Sequence, residues 1–529
     1  MVKFKKILCN LHKKWLNKHG ELGRRKNKMT NKFDIIIVGG GVVGSAIARE
    51  LSKYQFSIAL IEKYPDVGFD TSCRNSGVVH SGIHYKHGTK RARLAVAGNA
   101  MMDKLCSDLK VKIKRIGKLT IAQNEEDMKG IDRLMKDGIA NGVPGIRVID
   151  HEEMQKHQSG VSGIAAIWSP STGIISPYGL TIALAENACL NGVKFFLDTE
   201  VTSIEKPAEG GEDFTVHTTG ETFTAKFVIN AAGLFADKVS EMVGVTESNT
   251  GEPLKIYPCR GEYYVLDKRL DGTVQTLLYP VPGAKDAGLG IHLTPTVDGN
   301  ILIGPSAKYM CDEAPVDYRV TEEILQSLRT EGQKLLPELK MSDFIRNFAG
   351  NRAKRTPPSV GGNGDFIIEE TKFVPNFINL VGLESPALTS SPAIALDVKE
   401  IIASKLKLVE KENWNEVREG ITGHFCDLPL EEQKMLVKLY PEYGEIICRC
   451  EKITKKEIKD AIENPLGART LESIKYRARS GMGRCQGGFC MPKIVRILKE
   501  EYGWTEDDFK LREKPSYMFN GKARNKDEK

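Results

Sequence analysis

The sequence lacks the long hydrophobic runs of membrane-spanning and secreted proteins. No stretch approaches the roughly 20 apolar residues that a helix needs to cross a bilayer, and the densest patches are as short as residues 35–38. The N-terminal region has no uninterrupted apolar segment of the secretory type. We therefore expect a cytoplasmic protein, either free or attached peripherally to the inner face of the membrane.

The cysteines do not show the regular spacing of a disulfide-stapled domain. Eleven are present, an odd number, and the seven that are scattered singly are Cys9, Cys73, Cys106, Cys189, Cys259, Cys311 and Cys426. This usage fits a reducing compartment. The remaining four, Cys448, Cys450, Cys485 and Cys490, cluster near the C-terminus.

A basic surface spread over the protein is also missing, although the formal net charge is +7. Residues 1–28 carry ten lysines and arginines against the single acid Glu21, and the rest of the chain sums to −2. Nucleic acid is therefore not an expected partner. The same extension has apolar residues at helical spacing, which predicts a basic amphipathic helix able to lie on an anionic membrane. The alternative is that Met29 is the true start.

The chain is long enough for several folding units with a substantial core. It has 529 residues, of which 41% are hydrophobic and 27% charged, and this composition is typical of globular proteins. No internal repeat is visible. From residue 33 the order strand, glycine turn, helix and strand predicts an α/β unit, and later alternating runs near residues 263, 290 and 301 predict a separate antiparallel sheet.

A dinucleotide-binding fingerprint lies between the first strand and the first helix. Gly39, Gly41 and Gly44 follow the spacing GxGxxG, and Glu62 ends the next strand. Glycines allow the tight turn and the close approach of backbone N–H groups to a pyrophosphate, while the carboxylate can accept hydrogen bonds from a ribose. The fingerprint predicts nucleotide binding but does not distinguish FAD from NAD.

The four C-terminal cysteines form two pairs, Cys448-Arg-Cys450 and Cys485-Gln-Gly-Gly-Phe-Cys490. Four thiolates from two short loops favour a [2Fe-2S] cluster, whereas zinc sites more often use paired CxxC knuckles. Zinc or four free thiols are the alternatives. Four nearby cations, Arg449, Arg477, Arg479 and Arg484, are expected to favour the reduced cluster.

Three further segments, near residues 71–82, 230–237 and 382–392, resemble the D-amino-acid oxidase-like flavoprotein superfamily. This resemblance implies FAD as the cofactor and a Rossmann-like FAD-binding domain that is discontinuous in sequence, with an antiparallel-sheet substrate domain. The cofactor contacts that it implies beyond the fingerprint are Thr71, Ser72, Asn75, Ser76, Gly77, Val201, Ala232, Gly233, Gly382, Leu388 and Thr389.

The C-terminal motifs resemble the ferredoxin-like domain that ends the FAD subunit of anaerobic glycerol-3-phosphate dehydrogenases. That resemblance implies a small helical iron-sulfur domain, electron transfer to a partner oxidoreductase or acceptor subunit, and sn-glycerol-3-phosphate as the small anionic substrate. The substrate half is also similar to L-2-hydroxyglutarate oxidases and dehydrogenases, and His84-Tyr85 stands where glycerol-3-phosphate dehydrogenases typically have Arg-Tyr. A 2-hydroxy acid is therefore the rival substrate.

Such a dehydrogenase needs a base for the hydroxyl proton and a cation for the substrate anion. The candidate bases are His80, His84 and His292, and the candidate cations are Arg352 and Arg355. In related enzymes the position of Arg352 contacts the substrate anion. An oxidase is disfavoured because a cluster would be useless to it, and a non-enzymatic electron-transfer scaffold or redox sensor is the alternative of another class.

The predicted organisation has five parts. Residues 1–28 form the basic extension, and residues 29–405 the oxidoreductase, with FAD-binding segments at 29–100, 175–240 and 345–405 and a substrate domain at 100–175 and 240–345. A linker at 406–444, the [2Fe-2S] domain at 445–505 and a tail at 506–529 follow.

Overall fold

The computed structural model describes residues 31–282, 290–310, 316–361, 364–418 and 424–521. The predicted amphipathic helix of residues 1–28 lies outside these ranges. Within them, the strands are β1 (Lys32–Val38), β2 (Ile58–Ile61), β3 (Val78–Val79), β4 (Ile113–Lys114), β5 (Lys118–Ala122), β6 (Arg147–Asp150), β7 (Ala165–Trp168), β8 (Gly173–Ile175), β9 (Lys194–Phe196), β10 (Val201–Glu205), β11 (Phe214–Thr218), β12 (Thr222–Asn230), β13 (Tyr257–Leu266), β14 (Leu277–Pro280), β15 (His292–Pro295), β16 (Ile301–Gly304), β17 (Lys308–Tyr309), β18 (Phe344–Lys354), β19 (Ile367–Glu370), β20 (Phe377–Val381), β21 (Ile446–Cys448) and β22 (Ile453–Thr454).

The α-helices of the described ranges flank the two large β-sheets and build the C-terminal region. They are α1 (Val42–Leu51), α2 (Lys90–Leu109), α3 (Glu125–Ala140), α4 (His151–His157), α5 (Pro177–Leu190), α6 (Ala236–Glu241), α7 (Glu322–Leu335), α8 (Ala387–Ala403), α9 (Leu430–Leu439), α10 (Lys455–Ile462), α11 (Leu471–Ala478) and α12 (Met491–Tyr502). None of them combines the length and the apolar character that a membrane-spanning helix requires.

The first sheet has eight strands, and the predicted parallel strands form its centre around β1, while the β10–β11, β11–β12 and β19–β20 pairs are antiparallel. β1 pairs in parallel with β12 and β2, and β12 continues to β20. Ile35 and Ile37 pack on one face with α1, α5 and α8, while Ile36 and Val38 pack on the other face. Since both faces are buried, the strand needs an unbroken apolar run, as the sequence predicted.

The second sheet has nine strands and forms the wall of the predicted substrate domain. Its order is β17, β13, β16, β15, β14, β5, β7 and β6, with β18 on the other side of β13. The pairs are antiparallel except that β5 and β14 run parallel. β18 pairs with β13 along its length, so residues 345–354 belong to this sheet and not to the FAD-binding segment predicted from residue 345.

The strand register gives the nine-stranded sheet two chemically different faces. One face is apolar, and there Leu293 and Ile303 pack under Leu328 of α7. Since side chains alternate along a strand, the pairing places Lys118, Tyr279, His292 and Arg352 on the opposite face. That face points toward the parallel-sheet domain and forms one wall of the candidate site.

The C-terminal module is a small helical unit around a core of its own. The β21–β22 hairpin leads into α10, whose first turn is closed by a capping box in which Thr454 and Glu457 bond each other's backbone N–H groups. Trp504 and Phe509 are part of the module core. The module therefore extends beyond residue 505, and residues 506–521 are not a separate tail.

The segment predicted as a linker, residues 406–444, is packed over much of its described length. The Gln55 backbone N–H donates to the Val409 carbonyl oxygen at 2.8 Å, and Arg418 donates from Nε to Glu186 Oε2 at 3.0 Å. The segment also contains α9. The part of the segment described up to residue 418 is therefore packed on the parallel-sheet domain.

A buried ion network joins the module to the parallel-sheet domain. Arg477 of α11 has no exposed side-chain surface and pairs with Asp66 and with Glu186, its Nε lying 2.9 Å from Glu186 Oε1. Glu186 also accepts from Arg418. Burial alone would raise the pKa of Glu186, but the two guanidinium groups lower it below its ordinary value. The charges in this contact are balanced, two of each sign.

Two further arginines expected to act on the cluster also form domain contacts. Arg479 donates to Tyr178 Oη and to Asp298, each at 2.6 Å, and to Glu451 at 3.0 Å. Arg484 donates to Asp267 at 2.6 Å. Four arginines were expected to favour the reduced form of the cluster. Because carboxylates compensate the charges of Arg477, Arg479 and Arg484, only Arg449 is left to have this effect.

Replacing Arg477 should destabilise the contact between the domains. Arg477→Ala leaves Asp66 buried without its counter-ion, and we expect a loss of about 3–5 kcal/mol in the free energy of unfolding of the module. Chemical denaturation measures this loss. Lys129→Ala is the control, since it removes a solvent-exposed pair with Glu126 and should cost no more than about 1 kcal/mol. Equal losses in the two variants would contradict the assigned role of Arg477.

Candidate functional site

The fingerprint turn has the geometry that its glycines predict. Gly39 has a φ of +108°, and a Cβ there would lie 2.5 Å from the Ala231 carbonyl oxygen. A Cβ on Gly44 would collide with the Gly39 carbonyl oxygen. Gly41 precedes α1 and lines the cavity. The N-terminus of α1 therefore opens onto the cavity, and the Ser72 hydroxyl lies beside it, 2.9 Å from the Val42 nitrogen.

Glu62 is buried beside this turn and holds its backbone. Its Oε2 accepts from the Gly40 N–H at 2.6 Å, and its Oε1 accepts from the Tyr64 N–H at 2.9 Å. Burial raises the pKa of Glu62 to about 7, although these two hydrogen bonds oppose the shift. Glu62 does not line the cavity, and its predicted contact with a ribose stays a prediction.

The loop after β2 contributes the next set of predicted residues. The Ser72 hydroxyl oxygen accepts from the Val42 N–H at 2.9 Å, and the Thr71 hydroxyl donates to the Asn351 carbonyl at 2.8 Å. The Asn75 side chain donates to the Thr71 carbonyl and accepts from the Gly77 N–H. The loop is thus held between α1 and β18, and Thr71, Ser72, Asn75 and Ser76 line the cavity.

The remaining predicted cofactor residues divide into cavity lining and support. Gly233 and Leu388 line the cavity. The supporting residues do not line it. Ala232 donates its N–H to Asn230 Oδ1, Gly382 packs against Arg355, Thr389 Oγ1 accepts from the His80 N–H, and Val201 is part of the core behind β1.

The helix at the far side of the cavity begins earlier than its proline suggested. The sequence predicts a start near residues 391–392, but α8 begins at Ala387 and contains Pro392. A proline cannot donate to the carbonyl four residues before it, here that of Leu388. The Ser391 hydroxyl donates to that carbonyl instead, at 3.0 Å, and the helix continues through the proline.

Three histidines and a tyrosine form the part of the cavity that the sheet and the first loop share. His80, His84, His292 and Tyr279 all line it, and the Tyr279 and His292 rings stack with centroids 3.9 Å apart. Burial lowers the pKa of His80 and of His292 to about 3, and it also lowers that of His84. All three imidazoles are therefore neutral at physiological pH.

The tautomer of His292 follows from its one hydrogen bond. Nδ1 lies 2.8 Å from the Gly290 carbonyl oxygen, which can only accept, so Nδ1 carries the proton. Nε2 then has a free lone pair, and it is buried with no partner among the described residues. Both ring nitrogens of His84 are also buried and have no hydrogen-bond partner among the described residues. Unsatisfied buried nitrogens of this kind indicate a ligand that would satisfy them.

The two predicted arginines lie in different surroundings. Arg352 lines the cavity, and its two Nη atoms donate to the Ser306 carbonyl at 3.3 Å. Within the described ranges it forms no salt bridge. Arg355 does not line the cavity, and its guanidinium pairs with Glu252 at 2.9 Å. The structure therefore brings Arg352 to the histidines and leaves Arg355 apart from them.

Two residues of this region were not predicted. Tyr279 is the ring on which His292 stacks. Lys118 is 1% exposed, its Nζ lies 5.1 Å from the Tyr279 ring centroid, and it has no hydrogen-bond partner in the described part of the chain. Burial lowers the pKa of Lys118 to about 7. The one sequence signal that could have indicated Lys118 is its position as the first residue of a short apolar strand.

The four C-terminal cysteines come together at one end of the module. Cys450 and Cys485 are exposed, with their sulfurs 3.5 Å apart, while Cys448 and Cys490 are buried and contact each other. Hydrogen bonds from the Cys490 thiol and the Gly481 backbone lower the pKa of Cys448 to about 6. A Cβ on Gly483 would collide with that of Cys450. The site thus has two thiol pairs, a close backbone and donors aimed at sulfur, which fits a two-iron cluster.

Two family models match the chain, and together they cover both redox sites. The model described as "FAD dependent oxidoreductase" matches residues 34–401. The chain belongs to the FAD dependent oxidoreductase family. The model of the "BFD-like [2Fe-2S] binding domain" matches residues 446–500.

Relatives of this FAD dependent oxidoreductase include enzymes of two substrate classes. It is 41% identical to a glycerol 3-phosphate dehydrogenase of Caloramator mitchellensis over 92% of this chain and 98% of that one. It is 30% identical to the mitochondrial L-2-hydroxyglutarate dehydrogenase of Homo sapiens over 73% and 92%. Among solved structures, L-α-glycerophosphate oxidase from Mycoplasma pneumoniae with FAD bound matches with a TM-score of 0.65 and 30% identity, covering 73% and 98%.

The cofactors of this FAD dependent oxidoreductase are FAD and a [2Fe-2S] cluster. The residues present fit both groups. The glycine turn and the N-terminus of α1 suit an adenosine pyrophosphate. Buried nitrogens of His84, His292 and Arg91 have no hydrogen-bond partner in the described part of the chain, and they suit a large polar ligand in the cavity. Nine described cysteines are all free, so the four thiols of the module are available to iron.

Replacing a cluster cysteine should remove the cluster and spare the flavin, since the two sites lie in separate domains. Anaerobically purified protein should contain about two iron and two sulfide per chain. Cys448→Ser and Cys485→Ser should each abolish the visible signal of the cluster without lowering FAD content. Cys426→Ser, a half-buried cysteine outside the four, is the control and should keep both. Stoichiometric zinc without sulfide would refute the assignment.

Proposed function

We propose that this protein is a dehydrogenase that oxidises sn-glycerol-3-phosphate to dihydroxyacetone phosphate and passes the electrons from FAD through the [2Fe-2S] cluster to a partner acceptor. The observation that carries the proposal is the extent of the similarity to the Caloramator enzyme. A match over 92% of the chain includes both the FAD-binding domain and the cluster module. The L-2-hydroxyglutarate dehydrogenase of Homo sapiens matches over 73%.

Arg352 is the residue that we assign to the substrate anion. Its guanidinium lines the cavity, bonds only a carbonyl and a thiol among the described residues, and has no carboxylate beside it. A planar guanidinium can form two parallel hydrogen bonds to a phosphate or a carboxylate. An anionic substrate would therefore supply a counter-ion that the described residues do not.

His292 is the residue that we assign as base. Its Nδ1 proton is fixed on Gly290, so the lone pair on Nε2 points into a buried space and can accept the hydroxyl proton of a secondary alcohol. Stacking on Tyr279 keeps the ring in this orientation. When bound, FAD supplies a two-electron acceptor for the hydrogen on the adjacent carbon, and the cluster supplies a one-electron acceptor. His80 and His84 line the same cavity and would orient the substrate.

An L-2-hydroxy acid dicarboxylate is the second candidate substrate. The pair His84-Tyr85 and the segment from Gly290 to His292 favour it, and relatives with this named activity are about 30% identical over most of the substrate domain. Both candidates are secondary alcohols with an anionic group, and Arg352 suits either anion.

The direct test is reduction of the bound flavin by each substrate under anaerobic conditions. We expect sn-glycerol-3-phosphate to bleach the flavin absorbance of the holoenzyme within its turnover time, and L-2-hydroxyglutarate to do so much more slowly. The D-enantiomers of both compounds serve as matched controls. Faster bleaching by L-2-hydroxyglutarate would replace the first candidate with the second, and no bleaching by any of the four would refute both.

Loss of the Arg352 guanidinium should impair turnover of every anionic substrate. Arg352→Ala should cost about 2–5 kcal/mol in kcat/KM, as expected when one side of a desolvated charge pair is lost. Arg352→Lys should restore only part of this, since an ammonium cannot form the two parallel bonds. Arg355→Ala is the comparison, and its effect on KM should be small. A wild-type kcat/KM in Arg352→Ala would remove this residue from the site.

A further inference from the structure

The cluster site has one exposed edge. Cys450 and Cys485 are exposed, whereas Cys448 and Cys490 are buried in the module core. Because electron transfer falls steeply with distance, an electron leaves a cluster most readily on the side that an acceptor can approach. The side defined by Cys450 and Cys485 is therefore the exit.

An aromatic ring with two cations lies beside this edge. Phe489, adjacent to Cys490, is 39% exposed, and the Arg449 guanidinium lies 4.4 Å and the Lys493 ammonium 4.9 Å from the centroid of its ring. Neither cation forms a salt bridge within the described part of the chain. Each is therefore free to pair with a group outside the molecule. We name Arg449, Cys450, Cys485, Phe489 and Lys493 the cluster face.

The charge of the module favours an acidic binding partner. Residues 446–500 contain thirteen lysines and arginines against six acids. Five of those six acids are already engaged within the protein. They are Glu451 with Arg479, Glu457 in the capping box, Asp460 with Lys456, Glu463 with Tyr502 and Glu472 with Tyr476. Seven of the thirteen cations are paired as well, and they are Lys455, Lys456, Lys459, Arg477, Arg479, Arg484 and Lys499. Six cations form no salt bridge among the described residues, and two of these six, Arg449 and Lys493, lie on the cluster face. The positive charge that an acidic partner could pair with at the exit is therefore that of Arg449 and Lys493.

We propose that the cluster face is the docking surface for an acidic protein electron carrier, with an apolar patch at its own redox centre and carboxylates around it. The proposal rests on the proposed function in one respect, that electrons leave through the cluster. Phe489 would pack against the apolar patch, while Arg449 and Lys493 would pair with the carboxylates and steer the approach. A second copy of this chain would present the same positive charge and be repelled.

The experiment compares two acceptors that differ only in surface charge, native cytochrome c, which is basic, and succinylated cytochrome c, which is acidic. The holoenzyme is reduced with dithionite, freed of excess reductant and mixed with each acceptor in a stopped-flow instrument. At low ionic strength we expect the succinylated form to be reduced at least about 10-fold faster, with the advantage disappearing in about 0.5 M salt because the charges are screened. Dithionite replaces the substrate, so failure of the substrate assignment would not affect this result.

Variants of the cluster face identify the residues responsible. Arg449→Glu and Lys493→Glu should each slow reduction of the succinylated form by about 3- to 10-fold and remove its salt dependence in part. Phe489→Ala should slow it without changing the salt dependence. Arg469→Glu is the matched control, since it makes the same charge change elsewhere in the module. Iron and sulfide are measured in each variant to confirm that its cluster is present. If Arg449→Glu loses its cluster, the test rests on Lys493→Glu.

The outcomes separate the proposal from its rivals. Equal rates for the two acceptors would overturn it, as would an effect of Arg469→Glu as large as that of Lys493→Glu. Binding of the holoenzyme to anionic vesicles that is lost in Lys493→Glu, without any preference for the acidic acceptor, would make the cluster face a membrane contact and also overturn it. A preference that both charge variants reduce and the control retains would establish it.

Discussion

The arrangement of the two redox sites depends on the buried contact of Arg477 with Asp66 and Glu186. Asp66 lies in the loop after β2, four residues beyond Glu62, so one loop carries both the predicted ribose contact and the anchor of the cluster module. Glu186 belongs to α5, which packs against the parallel sheet, and Arg418 reaches it from the connecting segment. Charged groups fully removed from water persist only in well-formed pairs. The geometry of this contact therefore fixes where the cluster lies relative to the flavin cavity.

The cavity combines neutral histidines with Arg352, a cation that has no salt bridge among the residues the structure describes. Burial removes the charge from His80, His84 and His292, while Arg352 keeps a guanidinium that is permanently protonated. Lys118, behind Tyr279, is a further buried amine, and its positive charge opposes protonation of the histidines. A site of this kind suits an anion that also carries a hydroxyl group. The anion would compensate the positive charge of Arg352, and a neutral imidazole could accept the hydroxyl proton.

The sequence predicted those parts of the site that are local in the chain. The tight glycine turn and the convergence of the four cysteines each follow from a short local motif, and the parallel strand was visible as an unbroken apolar run. The ribose contact of Glu62 stays a prediction. Features that depend on distant partners were not predictable. Arg352 and Arg355 are three residues apart and look alike in sequence, yet the fold places Arg352 in the cavity wall and pairs Arg355 with Glu252 outside it. Likewise the Ser391 hydroxyl donates to the Leu388 carbonyl, to which Pro392 has no N–H to donate. The burial of Lys118 depends on the fold of the whole sheet.

The long sequence separation across the domain contact has a consequence for synthesis. Asp66 and Arg477 are 411 residues apart, and at the usual 5–20 residues per second a ribosome needs about 20–80 s to make that length of chain. During this interval the Asp66 carboxylate has no guanidinium to bury it. The Asp66 carboxylate of the nascent parallel-sheet domain must therefore stay exposed to solvent during this time. The buried ion network can form only after nearly the whole polypeptide has emerged.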